Sequence, residues 1–286
     1  MSKRKDVGRS ARTPAKHALM SSIYGREVGV VARSPWHRSI QRHVWMDLTA
    51  GDGIPDDGLD WRYNCSPGIN AYHATKALRP VDVSLYEIQP ATFDRLVESL
   101  AENLPALNYS RTGDTEWRHE TVVLRAFNQS GADAPAHDIR RTDAVLVSND
   151  PNAITTWAMR PTFGEEIAAR AWCYRGISTM GCNPAGLKRT NPTERAGWFD
   201  LVKQQESALP GHRDLLLAAI EGDSAQWAYL LGEPAKWRAT VETTVRSAFR
   251  KHGYAMEMAW YRTDPEAFEA LKARLFLTRD ELDSSC

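Results

Sequence analysis

The chain has no paired-cysteine motif, no net charge, no long apolar run and neither of the glycine loops that cradle phosphates. Each absence removes a class of protein. Cys65, Cys173, Cys182 and Cys286 are widely spaced with no C-x-x-C, so there is no zinc-ribbon spacing or disulfide framework, and reduced thiols are expected. Lys plus Arg and Asp plus Glu stand at 36 each, which denies the chain an overall positive field but leaves a local patch open. No apolar stretch reaches membrane-spanning length, and the basic start leads into no apolar signal region. A cytoplasmic protein without a membrane partner is expected. G-x-x-x-x-G-K-[ST] is missing, and Asp56 stands where the third glycine of G-x-G-x-x-G would fall.

What is present begins at residues 43–53, His-Val-Trp-Met-Asp-Leu-Thr-Ala-Gly-Asp-Gly. A short apolar run reaches Asp47 and breaks into Ala50-Gly51-Asp52-Gly53, as a buried parallel strand enters a tight turn where backbone approaches a ligand. A second apolar run, Val81 to Glu87, ends in a carboxylate placed to accept hydrogen bonds from ribose hydroxyls. An ordinary α/β turn needing positive φ is the alternative for the glycines, and a helix-capping carboxylate for Glu87. Without either phosphate loop, the cofactor expected is S-adenosylmethionine, which carries no phosphate.

Strands and helices alternate along the chain. Helices are expected around 15–25, 67–78 (with Ser66 as N-cap and Pro67 in its first turn) and 90–103, where Phe93, Leu96, Val97 and Leu100 recur at helical spacing. Strands are expected at 121–127, 143–148 and 177–183, with a helix over 165–174 between the last two. Beyond them the pattern predicts helices around 197–207, 212–220, 224–231 and 235–252. A strand at 254–262, a helix at 264–273 and a last strand at 274–278 complete the chain. Such alternation implies right-handed crossovers and a parallel sheet. The organisation expected is a basic disordered tail over 1–15, then one domain over 16–286 with a helical insertion around 190–252. The tail carries Lys3, Arg4, Lys5, Arg9 and Arg12 against Asp6, and contact with phosphates is its other reading. Of ten tryptophans, Trp157, Trp172, Trp198, Trp227 and Trp237 are expected in packing.

In an open parallel sheet ligands bind at the carboxyl ends of the strands. The candidates there are Asp47, Ala50, Gly51, Asp52 and Gly53 after the first strand, Glu87 and Ile88 after the second, and Asn128 near an adenine. Asn149-Asp150-Pro151-Asn152 follows the fourth strand and would align an exocyclic amine with a methyl donor, a reaction needing little acid–base help. Plain turn chemistry, with Asx side chains bonding their own backbone, is the other reading of that tetrapeptide.

These residues resemble the motifs of class I S-adenosylmethionine-dependent methyltransferases. Asp47 to Gly53 is similar to the first motif, Glu87 to the ribose-binding acid, and Asn149 to Asn152 to the fourth motif. The order of features, with Cys65-Ser66-Pro67-Gly68, Leu85-Tyr86-Glu87-Ile88 and Asp150-Pro151-Asn152-Ala153, resembles the three-Cys-motif partner proteins of bacteria and mobile elements, over roughly residues 14–160. The resemblance implies a Rossmann-like α/β fold: a mostly parallel seven-stranded sheet, helices on both faces and an added helical C-terminal segment. It implies methyl transfer, with a nucleic-acid nitrogen as the acceptor. The fourth motif departs from [DNS]-P-P-[YFW], so Trp157 would have to supply the face on which a base stacks. No Pro-Cys nucleophile exists for cytosine C5 chemistry, and Cys182 reads as a buried thiol. A small-molecule or protein acceptor, or a non-catalytic protein partner of a phage or mobile element, are the alternatives.

Overall fold

Val44, Trp45 and Met46 are apolar at consecutive positions, the pattern of a strand covered on both faces, and they lie at the centre of the sheet. A computed structural model describes residues 13–31, 39–56, 58–135, 138–149, 167, 170, 171, 173–182, 213–222 and 228–276. Ten strands form one sheet: β1 (Arg42–Asp47), β2 (Val81–Tyr86), β3 (Ser110–Arg111), β4 (Glu116–His119), β5 (Val122–Phe127), β6 (Asp143–Asn149), β7 (Cys173–Cys182), β8 (Arg213–Ile220), β9 (Ala228–Pro234) and β10 (Met256–Trp260). Their spatial order is β10-β8-β9-β7-β6-β1-β2-β5-β4-β3. β5, β2, β1, β6 and β7 are parallel neighbours. β9 enters antiparallel, and β8 beyond it points the same way as β7, so six central strands share a direction.

This mixed, mostly parallel sheet with helices around it agrees with the Rossmann-like α/β fold expected, but among the described residues it has ten strands where seven are expected. The β3–β4 hairpin extends one edge and β10 the other. The hairpin escapes the sequence pattern because its strands are two and four residues long and mostly polar.

The described helices are α1 (Thr13–Arg26), α2 (Trp61–Asn64), α3 (Ser66–Ala74), α4 (Pro90–Asn103), α5 (Arg238–Arg250) and α6 (Pro265–Phe276). One apolar cluster joins Leu19 and Ile23 of α1, Ile69 of α3, Leu96 and Leu100 of α4 and Val245 and Phe249 of α5 to Trp45, Val83, Leu85 and Leu146 of the sheet. The opposite face holds Val44, Met46, Val145 and Val147 with Ile139 and Ile167. Each such side chain contributes about 1.5–3 kcal/mol when fully buried. α6 packs on β8 and β10.

The C-terminal third differs most from expectation. Residues 213–220 and 228–234 are strands and not the helices expected around 212–220 and 224–231, so the helical insertion and the added helical C-terminal segment do not hold there. The reason is burial: β8 is covered at every position between β9 and β10, and a continuous run such as Leu215-Leu216-Leu217-Ala218-Ala219 has no period to tell strand from helix. The strand expected at 274–278 is replaced, through Phe276, by α6, whose Phe268, Leu271 and Leu275 are buried at i, i+3 and i+7. Cys173 and Tyr174, placed in a helix by their sequence, open β7. α1 begins at Thr13, inside the segment expected to be a tail. The helix expected at 197–207 lies outside the described residues. So do Trp157, Trp172, Trp198 and Trp227, while Trp45 and Trp117 are the tryptophans fully buried in the core and Trp237 lies under the Arg26 guanidinium.

Among the described residues no helix is long and apolar enough to cross a membrane.

Candidate functional site

The chain leaves β1 toward β2 and β5 on one side, then returns to β6 and β7 on the other. The strand order therefore reverses between β1 and β6, which is where an open parallel sheet forms its ligand crevice, at the carboxyl ends. Backbone hydrogen bonds fix its floor. Leu48 N donates to Ser148 O at 2.9 Å, Ala50 N to Tyr86 O at 2.9 Å, and Glu87 N to Phe127 O at 3.1 Å.

The two glycines of the turn serve different ends. Gly51 has φ +67°, and a Cβ built there would meet nothing within 4 Å, so this backbone borders open space. Gly53 has φ +65°, but its Cβ would come within 2.9 Å of Leu96 Cδ1. Its missing side chain makes room for α4, whereas that of Gly51 leaves space free of the described residues. Gly53 O also accepts hydrogen bonds from Trp61 Nε1 at 2.8 Å and Ser99 Oγ at 2.7 Å. Asp52 turns back on its own loop, accepting from Ile54 N at 3.2 Å and lying 3.6 Å from Arg95 Nε.

Asp47 is buried at the end of β1. Its carboxylate accepts from Thr49 N at 3.3 Å and from the Ser66 hydroxyl. Ser66 thus makes no N-cap hydrogen bond; it is the first residue of α3, and Cys65 occupies the cap position without a side-chain bond. Glu87 is half-buried just beyond β2, and its Oε1 accepts from Gln89 N at 2.8 Å, which sets the carboxylate's direction. Ile88 is 52% exposed beside it, an apolar wall with nothing over it. Asn128 donates from Nδ2 to Glu87 O at 2.9 Å, tying the ends of β5 and β2 together. Asn149 closes β6 and is fully buried. Asp150, Pro151, Asn152 and Trp157 lie outside the described residues.

The sheet thus brings Asp47, Gly51, Glu87, Ile88, Asn128 and Asn149 to one edge over four neighbouring strands, a span of about 15 Å. Three further residues join them that no local motif announces. Tyr24 of α1, Asn70 of α3 and Ser148 of β6 are all fully buried, and the Tyr24 phenol faces the Ser148 and Asn70 side chains. Burial pushes the Tyr24 phenol well above its ordinary pKa and the charge of Asp47 adds to that, while the facing Ser148 and Asn70 side chains offset part of it. The phenol is therefore protonated throughout the physiological range. Its ring is held edge-on against Trp45 at 4.8 Å.

Among the described residues this edge offers hydroxyls, amides and carboxylates. His73 lies behind it, bonded through Nε2 to Ser21 Oγ at 2.9 Å, and burial lowers its pKa to about 4. No set of three or more His, Cys, Asp or Glu among the described residues is arranged to hold a metal.

No protein-family model matches the chain, and no curated protein sequence does. Among solved structures it is similar to the Legionella pneumophila protein LPL1258, with a TM-score of 0.51 at 8% identity over 86% of this chain and 96% of that one. Looser likenesses include the O-methyltransferase TomG of Streptomyces achromogenes in complex with SAM, with a TM-score of 0.40 at 13% identity over 80% of this chain and 82% of that one. Another is SMU.1697c of Streptococcus mutans, titled a putative methyltransferase in complex with SAH, with a TM-score of 0.36 at 10% identity over 69% and 93% of the two chains. At such identities the likeness to the Legionella protein is one of fold.

Proposed function

We propose that the chain binds S-adenosylmethionine across the carboxyl ends of β5, β2, β1 and β6 and transfers its methyl group to a nucleic-acid nitrogen. The observation that carries this reading is Gly51, whose left-handed backbone borders space free of the described residues, in the turn that follows the Asp47 carboxylate of β1 and on the sheet edge that also holds Glu87 just beyond β2. The residues present fit that cofactor. Glu87 Oε2 takes no hydrogen bond among the described residues and can accept from ribose hydroxyls, and Ile88 gives an apolar surface for the adenine. Asp47 supplies the negative charge for the methionine ammonium, and the Tyr24 phenol, set beside it with Asn70 and Ser148, adds a polar backing at that end.

When bound, the cofactor contributes a methyl group on a sulfonium whose departure needs no acid. The chain's work is alignment. Asn149, at the end of β6, orients the incoming amine and, with the Asp150, Pro151 and Asn152 that follow it in sequence, points its lone pair toward the methyl carbon. The proton lost afterwards passes to water. The five basic residues that precede α1 suit a polyanionic acceptor.

The test is transfer of a tritiated methyl from S-adenosylmethionine to total RNA, genomic DNA, cell protein and small-molecule extract in parallel. Label in a nucleic-acid fraction, lost in Asn149→Ala, is expected. Label in protein or small molecules alone would overturn the acceptor, and no label in any fraction would overturn the activity.

A further inference from the structure

Outside the crevice, α2 and the outer side of α3 carry a cluster the reaction does not use. Tyr63 is 38% exposed and meets Tyr72 in a T-shaped contact, with ring centroids 4.9 Å apart and planes at 71°. The Arg62 guanidinium lies 5.6 Å from the Tyr63 ring and 5.7 Å from that of Tyr72. Lys76 places its ammonium 3.7 Å from the Tyr72 centroid and hydrogen-bonds the Tyr72 hydroxyl. One acid belongs to the cluster: Asp60 pairs with Arg62 at 2.6 Å. The turn after α3 adds exposed Leu78 and Arg79. Packing fixes the rings before any partner arrives, so little side-chain freedom is left to lose on binding.

The position of the cluster is informative. α2 is pinned to the glycine turn by Trp61, so Tyr63 sits two residues from a direct contact with Gly53. The Ser21–His73 hydrogen bond and the stacking of Tyr24 on His73 show α1 packed along α3. Burial sets Tyr24 beside Asn70 and Ser21 beside His73, so the two helices run antiparallel and Thr13 lies toward the Lys76 end. The sequence just before Thr13 holds Lys3, Arg4, Lys5, Arg9 and Arg12 against Asp6.

We infer that the α2–α3 face is a docking platform for a single-stranded nucleic acid, with a base stacked on Tyr63 and phosphates drawn to Arg62 and Lys76. The inference deepens the reading of a nucleic-acid acceptor and rests on it. Every base has a π-face, so an aromatic ring flanked by cations holds a strand with little regard to sequence, and stacking contributes about 1–3 kcal/mol per base. A strand held there passes beside the Gly51–Gly53 turn, where a base from the same strand enters the crevice.

The experiment uses the full chain and a fluorescein-labelled mixed-sequence 20-nucleotide RNA, with anisotropy read across a salt series and S-adenosylhomocysteine affinity measured by calorimetry on the same samples. Tyr63→Ala should weaken RNA binding about tenfold, with Tyr63→Phe restoring it. Lys76→Gln should lower the steepness of the log–log salt dependence by about 0.7. S-adenosylhomocysteine affinity should stay unchanged in all three variants, which also shows that they fold. RNA binding by Tyr63→Ala equal to that of the wild type, with salt dependence intact in Lys76→Gln, would overturn the platform and leave the acceptor standing. Wild-type protein that binds S-adenosylhomocysteine but no RNA at low salt would overturn both. Poly-glutamate binding as tight as RNA binding would overturn stacking as the basis of the surface.

Discussion

Asp47, the last residue of β1, accepts the hydroxyl hydrogen bond of Ser66, the first residue of α3. That one contact links the strand carrying the glycine turn to the helix that follows it, and it aims a buried carboxylate at the floor of the crevice. Tyr24 senses the same carboxylate from α1. The crevice is thus walled by a helix that precedes the first strand as well as by the sheet.

Tyr24→Phe separates site from scaffold. The hydroxyl is buried against the Ser148 and Asn70 side chains, so removing it should cost only about 1 kcal/mol of stability. Affinity for S-adenosylmethionine should fall by about tenfold if the phenol bonds the cofactor. Thermal denaturation beside titration calorimetry reads both, and a large loss of stability would make Tyr24 a purely structural residue.

Much of this edge was readable along the chain and part of it was not. The turn at 51–53, the acid at 87 and the amide at 149 each stand at the end of a short apolar run, and a strand end is a local signal. Tyr24, Asn70 and Ser148 meet only because α1 lies antiparallel on α3 over β1 and β6, a long-range arrangement without a local mark. Gly51 and Gly53 look equivalent as letters; only the place of Leu96 tells them apart. β8 was misread because full burial erases periodicity.

The two glycines should respond differently. Gly51→Ala puts a methyl into open space at φ +67°, costing about 1–2 kcal/mol of backbone strain, and obstructs the cofactor. Gly53→Ala carries the same strain and also drives a Cβ against Leu96, so it should be the less stable variant. Urea denaturation of both should rank them in that order, with Gly51→Ala the variant that binds cofactor poorly while folded.

His73 gives stability a pH dependence. Its pKa falls from the ordinary 6.5 to about 4 through burial, with the charge of Lys76 a smaller cause. Between those values the unfolded chain takes up a proton that the folded chain refuses, so stability is lost as pH falls from about 6.5 toward 4, by roughly 3 kcal/mol at most. His73→Gln should flatten that part of the urea midpoint profile; an unchanged slope would assign it elsewhere.

At the other end of the strands, Arg42 donates to Asp143 at 2.5 Å and to Asp82 at 2.5 Å, joining β1 to both its neighbours. Asp143 is 1% exposed, so Arg42→Met should cost about 3–5 kcal/mol by stranding its charge. The double variant Arg42→Met with Asp143→Leu should recover much of the loss, as measured by urea denaturation.

Titration calorimetry of the purified chain with S-adenosylmethionine, beside Glu87→Ala, is the most direct measurement. Saturable one-site binding is expected, weakened about 10- to 100-fold in the variant through loss of hydrogen bonds from the ribose hydroxyls to a charged acceptor. No heat of binding to the wild type, or equal affinity in Glu87→Ala, would contradict a cofactor held at the ends of β1 and β2.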